Sequence, residues 1–309
     1  MLSDQIAYVA LVSADTTATC SVFERQLGLP RHDLPTAVGT AAVFSIGRSA
    51  LAVLSPGHPL VEGESKPGVH HIALGVDDLA AATARASAAG IAAAAPAPGL
   101  AGRRCVTLDR AATLGVRTVM TERLDLRKHV GGPVERIDHI GVASADVFED
   151  ERVFTGKLGF PVESRQTDME VSMAVESFTS DKYGVIYHSR APEPVGGLRV
   201  CFITVGDCEL EFLANFDPTQ SAHAHEQDRP GNTRQDQGVI ARFVKSRGQG
   251  LHHIALKVTD IGATLGAMAE AGLPMIDVKG RPGSRRALIG FPQPRALGGV
   301  LMHLVQREA

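Results

Sequence analysis

The hydrophobic and polar positions of the chain follow a unit that occurs four times. Each unit opens with a short apolar run of strand character, passes an aspartate that caps a helix, and ends in further short strands. In the first copy the apolar run 6–12 leads to Asp15, and the pattern predicts a helix over 16–26 and strands over 41–46 and 49–54. The predicted unit is therefore β-α-β-β-β.

Two of the opening strands are near copies of each other. Residues 69–79 and 251–261 are identical at seven of eleven positions, and both carry a His-His pair and an aspartate cap. In the first and third units the helix stops at similar segments, Leu27-Gly28-Leu29-Pro30 and Leu158-Gly159-Phe160-Pro161. A repeat of this length indicates a duplicated fold.

The other units are predicted from the same pattern. Helices are predicted over 79–89, 147–157 and 261–271, and closing strands over 105–108, 116–121, 198–205, 208–213, 287–291 and 299–306. The alanine-rich run 91–98 is interpreted as a strand and loop. The predicted fold class is α+β, with four βαβββ modules paired into two open, mixed-sheet, barrel-like domains over 1–130 and 134–309. Gly131-Gly132-Pro133 is the predicted linker.

The third unit is longer than the others. The matched opening-strand positions His139 and His253 lie 114 residues apart. The earlier matched positions, Tyr8 to His71 and His71 to His139, are separated by only 63 and 68 residues, so about 50 residues are inserted in the third unit. They fall at 168–197 and 215–237, which predicts lids or disordered loops, with a short helix following at 239–245. The first insertion contains Tyr187, a candidate substrate contact. The second contains His223 and His225, interpreted as a solvated loop rather than a second metal site.

Composition narrows the class of protein. The chain has 309 residues, is 44% hydrophobic and carries a formal net charge of -3 with mixed signs, so we expect no nucleic-acid partner. No leader or long apolar run is visible, and a cytoplasmic protein with no membrane partner is expected. The four cysteines have no CxxC spacing and are predicted to be buried, unpaired thiols.

Four polar side chains stand at matched strand positions in the second half. Because alternate residues of a strand face the same way, His139 and His253 can point inwards from equivalent opening strands. Glu211 and His303 can do so from the equivalent closing strands. Imidazoles with a carboxylate suit one divalent ion of iron, manganese, cobalt, nickel or zinc. The pattern therefore predicts a metal site.

The first half is an internal control. Tyr8 stands where His139 is, Ala52 where Glu211 is, and Val119 where His303 is, so only His71 remains. One imidazole binds a divalent ion poorly, and the first domain is therefore predicted to be metal-free. We expect it to serve structure, lid packing or dimerisation as a homodimer.

Four β-α-β-β-β units with ligands on strands resemble the vicinal oxygen chelate (glyoxalase/bleomycin resistance/extradiol dioxygenase) superfamily over essentially the whole chain. Within the second half, segments 198–213, 240–253, 281–285 and 298–306 resemble methylmalonyl-CoA epimerase. The resemblance implies a divalent metal bound by His139, Glu211, His253 and a ligand at position 303. The family has glutamate at that last position and this chain has His303.

The resemblance implies a first function, proton transfer next to a metal-chelated carbonyl of an acyl-CoA or related carboxylic substrate. The candidate bases are His303, whose ordinary pKa lies near neutrality, and two carboxylates of the first insertion, Glu170 and Glu176. The candidate groups for a substrate phosphate or carboxylate are Arg281, Arg285 and Arg286.

Two other functions stay open. The layout of four units with an inactive first pair is typical of superfamily dioxygenases, which would use Fe(II) and O₂ on a catechol or an arylpyruvate. Those enzymes resemble each other in a carboxylate on the last strand, where this chain has His303. A non-catalytic protein that binds a small molecule is the third alternative, which retention of the candidate ligands disfavours.

Overall fold

The computed structural model describes residues 1–62, 64–127, 129–173, 175–189, 191–216 and 238–308, with backbone only at 170, 172 and 193–195. Each half of the chain forms one curled, mixed sheet of eight strands, and a two-stranded hairpin belongs to the second half. The predicted α+β class and the pairing of four modules into two half-barrel sheets are thereby confirmed.

The first sheet has the order β2-β3-β4-β1-β5-β8-β7-β6. Its strands are β1 Ile6–Val12, β2 Arg31–Thr36, β3 Gly39–Ile46, β4 Ser49–Leu54, β5 Gly68–Val76, β6 Ala97–Pro98, β7 Arg104–Thr107 and β8 Thr118–Glu122. The opening strands β1 and β5 pair antiparallel at its centre, and each runs parallel to a closing strand, β4 or β8.

The second sheet repeats this order as β10-β13-β14-β9-β15-β18-β17-β16. Its strands, with the hairpin strands β11 and β12, are β9 Val134–Ala143, β10 Val162–Ser172, β11 Val175–Ser180, β12 Gly184–Ser189, β13 Glu193–Val205, β14 Cys208–Phe216, β15 Gly250–Val258, β16 Arg281–Pro282, β17 Leu288–Gly290 and β18 Met302–Gln306. The central pair is β9 with β15, flanked by the parallel closing strands β14 and β18.

The helices lie where the capping pattern predicts them. They are α1 Thr16–Ser21, which continues as a π-helical turn Val22–Gln26; α2 Leu79–Ala88; α3 Val147–Glu151, which continues as a π-helical turn Arg152–Lys157; α4 Val239–Arg247; and α5 Ile261–Glu270. Short 3₁₀ turns cover Pro59–Val61, Leu100–Gly102, Ser284–Arg286 and Pro294–Leu297. Asp15, Asp78, Asp146 and Asp260 each accept a hydrogen bond from a backbone N–H of the first helical turn, as aspartate caps should.

Three regions differ from the pattern. The alanine-rich run contributes only the short strand β6 and an isolated bridge between Ala93 and Leu108. The first insertion consists of the extended ends of β10 and β13 with the hairpin β11–β12, whose side chains are mostly exposed. The second insertion begins only after β14 ends at Phe216, and His223 and His225 lie outside the described residues.

One hydrophobic core joins the two halves. It runs from Leu11 and Phe23 in the first half to Phe154 and Phe212 in the second, with no break between them. Burial of such large side chains, each contributing roughly 1.5–3 kcal/mol, holds the halves as one body. All four cysteines are free, and three of them are buried. Among the described residues, no helix is both long and apolar enough to cross a membrane.

Candidate metal centre

Four side chains from four neighbouring strands converge on the inner face of the second sheet. They are His139 on β9, Glu211 on β14, His253 on β15 and His303 on β18, and all are buried. Oε2 of Glu211 lies 3.3 Å from Nε2 of His139 and 3.3 Å from Nε2 of His253. One ring nitrogen from each histidine lies within 4.8 Å of the other two.

Strand register produces this convergence. In the antiparallel pair β9–β15, His139 lies opposite Ala255, and His253 lies opposite Gly141. The parallel strand β18 places His303 beside Ala255, and β14 places Glu211 beside Gly141. The duplicated opening and closing strands therefore bring equivalent positions to one point.

Gly141 makes room for one of the imidazoles. A Cβ atom at this position would lie 2.0 Å from Cε1 of His253, far inside van der Waals contact. The matched residue of the first half is Ala10, which pairs with His71 across the first sheet. The glycine thus permits a ring position in the second half that a methyl group would obstruct.

Asp138 and Arg307 hold His139 in place. Oδ1 of the fully buried Asp138 lies 2.7 Å from Nδ1 of His139, and Arg307 donates to both carboxylate oxygens of Asp138. A carboxylate at Nδ1 fixes the N–H on that atom and leaves the lone pair on Nε2. His253 has a different neighbour, because its Nδ1 lies 3.0 Å from Nδ1 of His252.

The electrostatics of the four groups are coupled. Burial opposes charge on every one of them, but the contacts with Glu211 and Asp138 outweigh burial at His139 and raise its pKa to about 9. Burial lowers the pKa of His253, and burial together with the two neighbouring histidines holds that of His303 well below its usual range. Despite burial, His139 and His253 lower the pKa of Glu211. The buried carboxylate of Glu211 therefore needs positive charge beside it, which either a second proton on Nε2 of His139 or a cation bound by that nitrogen can supply.

The donor set fits a divalent metal ion. Nδ1 of His303 is buried and makes no hydrogen bond within the described residues. An atom of this kind costs about 1–3 kcal/mol when it has no partner. Nε2 of His253 and Nε2 of His139 each lie 3.3 Å from the same oxygen of Glu211. A cation would satisfy the histidine nitrogens and the charge of Glu211 together. Three imidazoles and a carboxylate suit iron, manganese, cobalt, nickel or zinc.

A cavity of about 640 Å³ opens directly over these side chains. Its walls are largely aliphatic and aromatic, including Phe202 and Phe291, and Phe291 packs 4.6 Å from the ring of His303. Asp168 on β10 reaches the wall and accepts a hydrogen bond of 2.7 Å from Nε2 of Gln166. Apart from Glu211, Asp168 is the carboxylate that lines the described part of this cavity.

The three candidate arginines lie in different surroundings. Arg281 lines the cavity, is held by Asp277 at 3.2 Å, and packs over the ring of Phe291. Arg285 forms ion pairs with Glu163 and Glu209 and stacks on Phe202, so its guanidinium is already engaged. Arg286 is exposed and absent from the lining.

The left-handed backbone of Arg285 and Arg286 belongs to the fold rather than to a binding function. Their φ angles are 54° and 56°. The matched turn of the first half has Ala101 and Gly102 at 56° and 69°.

The candidates from the first insertion lie elsewhere. Glu176 on β11 and Tyr187 on β12 are exposed residues of the hairpin and do not line the cavity. Glu170 lies near the end of β10, and its side chain is outside the described part of the structure. The sequence reasoning missed Asp168, Asp138 and Arg307. Alternation along β10 from Gln166 could have indicated Asp168, but nothing in the sequence links Asp138 with Arg307.

Apolar side chains occupy the matched place in the first half. Tyr8, Ala52 and Val119 lie together in one buried apolar cluster. His71 approaches the hydroxyl of Tyr8, with Nε2 at 3.4 Å from the oxygen, and burial lowers its pKa to about 3. The predicted absence of metal from this half stays a prediction.

Four β-α-β-β-β modules, paired into two sheets with polar side chains gathered on the four central strands of one sheet, define a class of proteins. Two models of the Glyoxalase/Bleomycin resistance protein/Dioxygenase superfamily match the chain, over residues 5–104 and 138–291. The chain belongs to this superfamily, and the predicted resemblance to it is confirmed.

Individual relatives are distant. Methylmalonyl-CoA epimerase of Bos taurus is 26% identical over 196 residues, which cover 62% of this chain and 87% of that protein. The uncharacterized protein YqjC of Bacillus subtilis is 22% identical over 173 residues, which cover 56% of this chain and 93% of YqjC. A mutant of 4-hydroxymandelate synthase from Streptomyces coelicolor superposes with a TM-score of 0.63 at 18% identity, covering 100% of this chain and 94% of that chain. This last similarity shows the fold.

Proposed function

We propose that the second half binds one divalent metal ion through His139, Glu211, His253 and His303, and that the protein is an isomerase or epimerase. The observation that carries the proposal is the buried Nδ1 of His303, which has no hydrogen-bond partner among the described residues and lies in a cluster with His139, His253 and the buried carboxylate of Glu211. A purely structural cluster would be expected to satisfy that nitrogen internally.

Bound there, a divalent ion would polarise a carbonyl of the substrate and acidify the neighbouring C–H. A side chain of the protein must then remove the proton from that carbon. Asp168 is placed to accept the proton, because it lines the cavity and Gln166 orients its carboxylate. His303 is assigned as a ligand, and it is the alternative base only where it does not bind the ion. Burial and the two neighbouring histidines lower its pKa, which makes it the weaker candidate for that role.

Arg281 gives the site a preference for a carboxylic substrate. Asp277 fixes its Nε edge at 3.2 Å, which leaves the other guanidinium nitrogens for a ligand. The apolar walls would hold the body of the substrate and exclude water from the acidified carbon. The similarity to methylmalonyl-CoA epimerase supports an acyl-CoA or related carboxylic substrate.

Deuterium exchange tests this function. The full-length protein, loaded with cobalt or manganese, is incubated in D₂O with methylmalonyl-CoA and with smaller 2-oxo and 2-methyl acids. We expect deuterium at the α-carbon, with the rate reduced about 10²–10⁴-fold in Asp168→Asn and unchanged in the exposed control Asp181→Asn. Absence of exchange with every acid, in protein shown to contain metal, would overturn the isomerase proposal.

A dioxygenase using Fe(II) is the second candidate. Its support is the fold similarity to 4-hydroxymandelate synthase over the whole chain. A further support is the largely apolar cavity, which neither Arg285, paired with Glu163 and Glu209, nor the exposed Arg286 lines. Oxygen consumption with an arylpyruvate or a catechol, measured on the iron-loaded protein, decides between the two. Oxygen uptake without α-deuteration would favour the dioxygenase.

A further inference from the structure

A second, smaller cavity of about 140 Å³ lies where the two halves of the molecule meet. The starts of β5 and β15 both line it, so it contains the matched pairs Gly68 with Gly250 and His70 with His252. It is distinct from the cavity over the candidate metal centre, although His252 contributes to both.

Two arginines reach across this junction, one from each half. Arg247 of α4 donates from Nη1 to the carbonyl oxygen of Pro67, at 3.4 Å. Arg110 donates from Nε to the carbonyl oxygen of Gly115, at 3.2 Å, and its Nη2 lies 4.0 Å from where a Cβ on Gly250 would stand. The backbone thus anchors one part of each guanidinium and leaves further N–H groups for a ligand.

The cavity carries an excess of positive charge. Lys66, Arg110, Arg117 and Arg247 line it, against the single carboxylate of Glu64, which lies 3.2 Å from Arg117. Within the described residues, neither Arg110 nor Arg247 has a carboxylate oxygen within 4.0 Å. Burial and the nearby Arg117 lower the pKa of Arg110, which is the direction expected for a crowded group of cations.

A buried histidine completes the wall. His70 is 4% exposed, and burial together with Arg117 lowers its pKa to about 4, so the ring is neutral at neutral pH. Nδ1 lies 2.8 Å from Nδ1 of His71. Nε2 forms no hydrogen bond of good geometry within the described residues, although a backbone contact with Val61 weakly favours its protonated form.

We propose that this junction cavity binds a small oxyanion, a phosphate or a carboxylate group, through the guanidinium groups of Arg110 and Arg247. Planar guanidinium groups match the geometry of both oxyanions and form strong, charge-assisted hydrogen bonds with them. The small volume suits the oxyanion itself or the end of a ligand, rather than a whole nucleotide. Because the two arginines come from different halves, the bound anion would also tie the halves together.

The test is a calorimetric titration of the full-length protein with inorganic phosphate, at constant ionic strength, with acetate and succinate as parallel arms. The double variant Arg110→Gln/Arg247→Gln is expected to bind phosphate at least about tenfold more weakly. The matched control Arg25→Gln/Arg103→Gln removes two exposed arginines of the first half that do not line the cavity, and should bind like the parent protein.

The parallel arms identify the ligand. Stronger binding of phosphate than of either carboxylate assigns a phosphate site, and the reverse order assigns a carboxylate site. Repeating the titration with His303→Ala separates this cavity from the metal centre, since binding should survive that substitution. NMR of ¹⁵N-labelled histidine provides a second measurement, in which phosphate should shift the ring signal of His70.

Three results would overturn the proposal: no binding of any of the three anions at tens of millimolar, equal losses in the arginine variants and their control, or disappearance of binding in His303→Ala. The last result would place the anion at the metal centre, where it would bear on the proposed function instead.

Discussion

Oδ1 of Asp138 lies within hydrogen-bonding distance of Nδ1 of His139, at 2.7 Å. This contact orients the ring so that Nε2 faces Glu211. Asp138→Asn keeps the shape of the residue but removes the charge that fixes the ring. We expect metal affinity to fall about 10–100-fold, measured by competition with a chelator.

A spectroscopic readout separates positioning from general damage at Asp138. The ¹⁵N chemical shifts of His139 should show a changed tautomer balance in Asp138→Asn. The thermal midpoint of unfolding should change little in the same variant. The exposed Asp181→Asn serves as the control and should alter neither quantity. Unchanged metal affinity in Asp138→Asn would contradict a positioning role.

Gly141→Ala tests whether the space beside His253 matters. The added methyl group would lie 2.0 Å from Cε1 of the imidazole, so the ring must rotate away from Glu211. We expect at least a tenfold loss of metal affinity in a protein that still folds, because a strand accepts alanine. Gly266→Ala is the control: nothing lies within 4 Å of its added Cβ, and metal content should not change.

His253→Ala and His71→Ala test the difference between the two halves. His253 faces Glu211 and two further histidines, so its loss should abolish stoichiometric metal binding, as measured by elemental analysis. His71 contacts His70 and Tyr8 instead, so its loss should lower thermal stability and leave metal content near the parent value. Equal loss of metal in both variants would refute a metal-free first half.

The repeated hydrophobic pattern was sufficient to predict the duplicated fold and the four helix caps. Strand alternation also selected His139, Glu211, His253 and His303, which the structure does bring together. Strand alternation did not predict the direction of the Asp138 side chain. The β9–β15 pairing shifts register between the pairs Ile137–Leu256 and His139–Ala255, so Asp138 lies in a β-bulge. A bulge changes the direction of the side chain within it.

The arginine run diverges in the structure for a related reason, and its role in substrate binding stays a prediction. Residues 281–286 cross a strand and a 3₁₀ turn, so neighbouring side chains diverge: Arg281 enters the cavity, whereas Arg285 meets Glu163 and Glu209. Glu163 and Glu209 lie more than 70 residues away from Arg285 in sequence. Their proximity to Arg285 arises only when the sheet folds, so the sequence pattern could not predict these ion pairs.

Asp150 gives the fold a pH dependence of its own. Ser144 donates a hydrogen bond to its carboxyl group inside the core, whereas the matched pair of the first half is the neutral Ser13 and Thr19, at 2.8 Å. Burial, reinforced by Asp146 and Glu149, raises the pKa of Asp150 to about 7. The native state therefore keeps a proton that the unfolded state loses near pH 4.

Because the native state binds the extra proton between about pH 4 and pH 7, the free energy of unfolding should fall as pH rises through that window. Asp150→Thr, which copies the first half, removes this dependence. At pH 8 it should be more stable than the parent by at most about 4 kcal/mol, and the difference should shrink towards pH 4. Urea denaturation at pH 4.5, 6 and 8 measures this, with the exposed Asp181→Asn as control. A stability difference of the same size at all three pH values would show that Asp150 is ionised in the core.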